Sequence, residues 1–224
     1  EPTTLSIIVE YVNDAPSFDT PVDHVRVLEN SARVLLPSVF TNVSAGYNEI
    51  DQSVTFLVQS EAFLFDPTHP MTIFPNGSLS FKPAYNAYGQ ANVSVKLLDN
   101  GGTLRGGINE SLPVNLTIEI VWVNQPPKFE IQETNLSIFE NFGRTNFQSL
   151  ATNISAGAEN EFQQLYSFRV HVHPSCEWLF ESNGRPLLFA NGTLSLLPAA
   201  NKYGLAILDV FLEDDGGTAN GGIN

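Results

Sequence analysis

The tripeptide Asn-x-Ser/Thr marks an acceptor for one covalent chemistry, attachment of an oligosaccharide to the asparagine amide. It occurs at Asn42, Asn76, Asn92, Asn109, Asn115, Asn135, Asn153 and Asn191. Among 21 asparagines chance gives about two or three such sites, so the pattern predicts N-glycosylation and a eukaryotic secretory origin. Asn92 and Asn115 fall on the outward side of alternating segments, and Asn76 and Asn191 begin Asn-Gly turns, positions where a bulky sugar fits. Catalytic chemistry has less to stand on. There is no Gly-rich phosphate loop, no G-x-S-x-G elbow and no H-E-x-x-H pair. His171 and His173 share a strand face with no committed carboxylate or cysteine beside them, which reads as a solvated face. No pair of carboxylates stands out for glycoside hydrolysis. The expectation is a protein that is not an enzyme.

The elements that carry these residues belong to a folded chain. Of 224 residues, 42% are hydrophobic and 15% charged, outside the low-hydrophobicity, high-charge range of disordered chains. The net charge of −14 repels nucleic acid and anionic membrane, favours solubility, and also suits cations. A single cysteine, Cys176, makes no internal disulfide and reads as a small buried apolar residue. No apolar run reaches the roughly 20 residues of a spanning helix.

A repeat organises the whole length. VNDAPSF from Val12 recurs as VNQPPKF from Val123, LEN from Leu28 as FEN from Phe139, and TNVSAG from Thr41 as TNISAG from Thr152, each at a shift of 111 (123 − 12). The shift then becomes 115: NGSLSFKPAYNAYG from Asn76 matches NGTLSLLPAANKYG from Asn191, and DNGGTLRGGIN from Asp99 matches DDGGTANGGIN from Asp214. Within each copy the texture is β. Leu116, Ile118, Ile120 and Trp122 alternate with polar residues, as do Val93, Val95 and Leu97, and in the second copy Leu208, Val210 and Leu212. Leu5, Ile7, Val9 and Tyr11 do likewise, with Ile8 as an apolar outlier. Short strands at this spacing predict two tandem all-β Greek-key sandwiches. Trp122 and Trp178 are expected in the cores.

The order VNDAPSF, LEN, NGSLSFKPAYNAYG, LLDNGGTLRGGIN resembles the cadherin-like and immunoglobulin-like tandem repeats of large surface and filament proteins. The likeness spans essentially the whole chain. It implies an extracellular or cell-surface rod, in an alga or other protist if the sequons are used, serving adhesion, coating or filament formation. It also implies calcium at the domain junctions, held by carboxylates and carbonyls. The matching positions are Asn13, Asp14, Glu29 and Asp99, and in the second copy Asn124, Glu140 and Asp214. Gln125 stands where the first copy has Asp14, and neither copy carries the acidic run of a full cadherin site. Asp99 and Asp214 also precede turn residues and serve equally as turn starters.

The repeat is cut circularly. GGIN at Gly106–Asn109 is followed by an alternating segment, Val114–Val123, whereas the copy of that segment belonging with GGIN at Gly221–Asn224 is residues 3–12. The expected domains are therefore 13–123 and 124–224, the second lacking its last strand, with 1–12 completing the sandwich of a preceding repeat or a neighbouring subunit. Leu5, Ile7, Val9 and Tyr11 are the expected inter-subunit contact, worth roughly 6 to 12 kcal/mol gross at about 1.5 to 3 per side chain. The functional expectation is a glycosylated fibre of copies joined head to tail, by strand donation or as a covalent array. The alternatives are a calcium-stiffened adhesion ectodomain and, less directly, a carbohydrate-binding module.

Overall fold

The computed structural model describes residues 2–60 and 62–224. The chain divides into two compact units, one ending at Trp122 and the other running Val123–Asn224. Both are built from short strands and single 3-10 turns. Among the described residues no helix is long and apolar enough to cross a membrane.

The first unit contains β1 (Ser17–Asp19), β2 (His24–Leu28), β3 (Val34–Leu36), β4 (Thr41–Ser44), β5 (Val54–Gln59), β6 (Thr72–Ile73), β7 (Leu79–Phe81), β8 (Gly89–Asp99) and β9 (Val114–Val121). One sheet has the order β2-β9-β8-β5, with β2 parallel to β9 and the other pairs antiparallel. A second sheet has the order β3-β7-β6, and β1 pairs with β4. Alternation decides what faces inward: Val93, Val95 and Leu97 of β8 and Leu116, Ile118 and Ile120 of β9 are at most 1% exposed. They close on Leu79 and Phe81 of β7 and on Phe40 and Phe56. Phe18, Phe40 and Phe56 form a mutual cluster with ring centroids 5.4–5.5 Å apart, within the favourable range for aromatic pairs. The two sheets thus share one continuous core.

The second unit contains β10 (Lys128–Ile131), β11 (Thr145–Phe147), β12 (Ala151–Ser155), β13 (Tyr166–Val172), β14 (Leu187–Leu188), β15 (Leu194–Leu196) and β16 (Leu208–Asp214). Pairings β10-β12, β11-β15-β14 and β13-β16 repeat β1-β4, β3-β7-β6 and β5-β8 of the first unit. Even the irregularity repeats: Asn42 and Asn153 both sit at φ 50° beside a register shift, and their amides donate to Asp19 Oδ2 and Glu130 Oε2. Counterparts of β2 and β9 do not form among the described residues, and the apolar core falls into two clusters.

A half-buried Asp66–Lys82 contact pins one turn of the first unit. The Lys82 ammonium lies 2.8 Å from Asp66 Oδ2, and Thr68 donates to Oδ1 from both its hydroxyl and its backbone N–H. Lys82 first, then Thr68, hold the Asp66 carboxyl well below the usual carboxylate range. A depressed carboxylate contributes stability above its unfolded pKa and loses it as pH falls through the folded one. Asp66→Asn should therefore flatten the acid limb of the first unit's unfolding profile while leaving that of the second unit in place, as followed by calorimetry at pH 2–6.

Candidate strand-acceptor site

Two stretches that are strand in the first unit are irregular in the second. In the first, residues 89–93 of β8 pair only with β9, through Gly89↔Ile120, Gln90↔Glu119, Ala91↔Ile118, Asn92↔Thr117 and Val93↔Leu116, residues 94 and 95 pair with both β9 and β5, and residues 96–99 pair with β5. β2 is hydrogen-bonded to β9 alone. In the second unit the counterparts of β8 residues 89–92, which are 204–207, are not in a strand, and neither are residues 135–139, the counterparts of β2. Both stretches have β9 as their strand partner in the first unit, and unpaired N–H and C=O groups do not hold a strand by themselves.

The consequence is an open apolar cleft of about 830 Å³ lined by Leu136, Ile138, Phe147, Leu196, Leu208 and Val210 among others. Ala91, Val93 and Val95 are at most 1% exposed, but their counterparts Ala206, Leu208 and Val210 are only half-buried. Leu205 is 81% exposed and Phe139 81%. An uncovered apolar face beside a free sheet edge is what natural folds avoid or use for docking.

Residues 3–12 form no strand within the chain, and Leu5, Ile7, Ile8 and Val9 are 79–91% exposed. Tyr11, grouped with them by its alternation, is engaged differently. Its hydroxyl donates to Glu49 Oε1 at 2.6 Å and accepts from Gln52 Nε2 at 2.7 Å. The bond to Glu49, then burial of the hydroxyl, push its pKa up to about 12. A raised phenol pKa stabilises the fold fully below the unfolded value near 10 and loses that contribution as pH rises through about 12. Of the six tyrosines, Tyr11 should ionise late in an absorbance titration near 295 nm, and Tyr11→Phe should remove that late step.

The linker motifs build a cradle that sequence reading missed. Asn13 Nδ2 donates to Asp99 Oδ1 (3.0 Å) and to the Ile108 carbonyl (2.7 Å), its Oδ1 accepts from Gln52, and its carbonyl accepts the Ile108 N–H. Asn124 repeats this with Asp214, Ile223 and Gln164. Gly101 and Gly216 are glycine for space: a Cβ there would lie 1.7 and 2.0 Å from the Oδ1 of Asn13 and Asn124. VN, the Asp of the DNGG and DDGG motifs, and GGI are thus one hydrogen-bonded unit, and Asp99 and Asp214 also start their turns by accepting from Gly101 and Gly216.

These contacts bear on the calcium positions. Asn13 and Asn124 present amide nitrogen, a donor, to their aspartates. Glu29 is buried, while Asp14 and Glu140 are exposed. Among the described residues no three His, Cys, Asp or Glu side chains converge as a metal requires. The glutamate-asparagine motifs have another use: Asn30 and Asn86 bond through Nδ2 to Oδ1 (3.1 Å) and backbone N–H to Oδ1 (2.8 Å), and Asn141 and Asn201 repeat the pair.

Seven sequon asparagines are exposed and Asn109 is half-buried. His171 is exposed, and His173 bonds Ser175 at the start of a 3-10 turn. Trp178 corrects the core expectation: it is 52% exposed with the Lys202 ammonium 5.9 Å from its ring, because it lies on that 3-10 turn rather than on an inward strand face, and Trp122 is half-buried. Cys176 is buried, with its sulfur near the His173 carbonyl.

No family model and no curated protein matches the chain. Among solved structures it is similar to human protocadherin-24 EC1-2, at 17% identity and TM-score 0.43 over 94% of this chain and 91% of that one. A second form of the same fragment gives 15% and 0.43 over 89% and 93%. Mouse protocadherin-24 EC1-3 gives 13% and 0.44 over 89% of this chain and 69% of that one. The all-β class and the tandem plan are carried by the strands and the two compact units themselves.

Proposed function

We propose that this chain is a structural repeat of an extracellular, N-glycosylated fibre assembled head to tail, in which the open strand position of the second domain is filled by an alternating apolar strand. That strand is lent by a neighbouring copy or supplied within a covalent array. The observation that carries this reading is the coordinated loss of regular structure at 135–139 and 204–207 beside an exposed apolar cleft. A head-to-tail contact that does not close into a ring propagates as a filament. Electron microscopy of the purified chain over a concentration series tests it: filaments or linear oligomers that lengthen with concentration are expected, and closed dimers alone would sink the fibre reading.

Glycans belong to this reading through the exposed sequons. Glycopeptide mass spectrometry of native material should find Asn76, Asn115 and Asn191 occupied, and Asn109, half-buried, occupied least. Unmodified asparagine at all eight sites would remove the glycoprotein part of the proposal.

A second reading, a calcium-stiffened adhesion ectodomain, is favoured by one feature of both cradles. Among the described residues Asp99 Oδ2 and Asp214 Oδ2 are buried without a hydrogen-bond partner, an acceptor surplus that a cation answers. Chelation separates the readings, because assembly through strand pairing survives EDTA whereas calcium-held junctions loosen.

A further inference from the structure

We infer that Asn76 and Asn191 remain glycan acceptors after their domains have folded, whereas Asn92 and Asn115 accept a glycan only before β8 and β9 pair. The inference rests on the proposed N-glycosylation and adds the order in which folding and modification take place.

The reaction sets the geometric requirement. The asparagine Nδ2 attacks the anomeric carbon of a pyrophosphate-linked oligosaccharide, the bond from that carbon to the pyrophosphate oxygen breaks with its electron pair, and an amide proton passes to a base of the transferase. A sequon defined by a hydroxyl two residues on implies that this residue is folded back toward the amide. A turn does this, but an extended strand holds residues i and i+2 about 6 to 7 Å apart.

In both domains a hairpin turn, between β6 and β7 and between β14 and β15, already has the bent form. The Ser78 N–H donates to Asn76 Oδ1 and the Thr193 N–H to Asn191 Oδ1, each at 3.1 Å. This is the turn in which an asparagine side chain closes on its own backbone two residues on. The oxygen is thereby spent on the turn, and both asparagines are exposed with no protein group on Nδ2 among the described residues. Backbone bonds clamp the rest. The Phe74 N–H donates to the Ser78 carbonyl (2.9 Å) and the Gly77 N–H to the Phe74 carbonyl (2.8 Å), and Phe189, Thr193 and Gly192 repeat both bonds at 3.0 and 2.8 Å. Gly77 is at φ 78° and Gly192 at φ 80°, and a Cβ would lie 1.8 Å from the Phe40 carbonyl oxygen or 1.9 Å from that of Ala151. The buried glycine thus fixes the bend beside an exposed asparagine.

Asn92 and Asn115 are built the opposite way. They lie on the outward face of adjacent strands, with Asn92 opposite Thr117 and Asn115 opposite Ser94. Each sequon asparagine therefore faces the hydroxyl residue of the other sequon, Asn92-Val93-Ser94 against Asn115-Leu116-Thr117. Bending either one back on itself breaks the β8–β9 ladder and pulls on Val93 or Leu116, both 0% exposed in the core. Once the sheet has closed, only local unfolding opens these sites.

The test uses the full chain produced without glycans in bacteria, shown to be folded by circular dichroism, and incubated with a eukaryotic oligosaccharyltransferase and a polyprenyl-pyrophosphate-linked oligosaccharide. Peptides from a digest of the same chain, offered to the same enzyme, give the unfolded reference, and mass spectrometry reads the rate at each site. Relative to the peptides, Asn76 and Asn191 of the folded chain should keep their rate within about threefold, while Asn92 and Asn115 should fall at least about tenfold. An equal change at all four sites, or loss of modification at Asn76 and Asn191, overturns the inference and leaves the glycoprotein reading in place. If the peptides also stay unmodified at all four sites, both the inference and the reading beneath it fail.

Discussion

Replacing Ile7 by Asp is expected to abolish head-to-tail association, lowering affinity at least about 100-fold, with no change in the fold of the single chain. Ile7 is 79% exposed, while its counterpart Ile118 is 0% exposed at the centre of a four-stranded sheet. Burying Leu5, Ile7 and Val9 contributes roughly 5 to 9 kcal/mol gross at about 1.5 to 3 per side chain, partly offset by ordering about 1 to 2 kcal/mol of backbone per residue. A carboxylate at the middle position removes one of these terms and adds a desolvation cost of several kcal/mol. Sedimentation of Ile7→Asp at concentrations where the wild-type chain polymerises should return the monomer mass. The reciprocal experiment uses a synthetic peptide of residues 3–12. Bound to the Ile7→Asp chain, it should protect amides at 204–207 from hydrogen exchange, because those groups gain partners. Polymerisation that persists in Ile7→Asp would place the contact elsewhere.

Asn13→Ala is expected to destabilise the first domain by about 2 to 4 kcal/mol. The asparagine amide serves Asp99 Oδ1 and the Ile108 carbonyl as donor and Gln52 as acceptor, all within a buried cradle. Truncation leaves the Asp99 carboxylate, whose second oxygen already lacks a partner, with the Gly101 N–H as its remaining donor. At the scaling typical of domains near this size, the loss lowers the melting temperature by on the order of 10 °C. Calorimetry should show the first unit's transition move while that of the second holds, and Asn124→Ala should reverse the pattern through Asp214. Unchanged transitions in both variants would mean that the cradle is incidental to stability.

The two units share a sequence plan yet differ in their sheets and cores. In the first, β9 joins β2 to β8 and closes one core; in the second, the same inward residues line a cleft. An edge like that of β16, flanked by Leu205, Ile207 and Phe211 at 54–81% exposure, invites pairing with another chain.

Periodicity and repetition, both local properties, made the strands, the all-β class and the twofold plan legible in the sequence. Leu116, Ile118 and Ile120 alternate because one sheet face is buried, and the structure buries them. What the sequence did not disclose depends on residues brought together from far apart. Asn13 with Asp99 and Ile108, and Asn30 with Asn86, meet only when the sandwich closes, so their role as internal hydrogen-bond clasps is not visible in a linear reading. Trp178 looked like a core aromatic by type, but its place on a 3-10 turn leaves it half outside. The irregularity of residues 135–139 and 204–207 was likewise decided by tertiary structure alone, because a strand's hydrogen bonds belong to its neighbours and not to its own sequence.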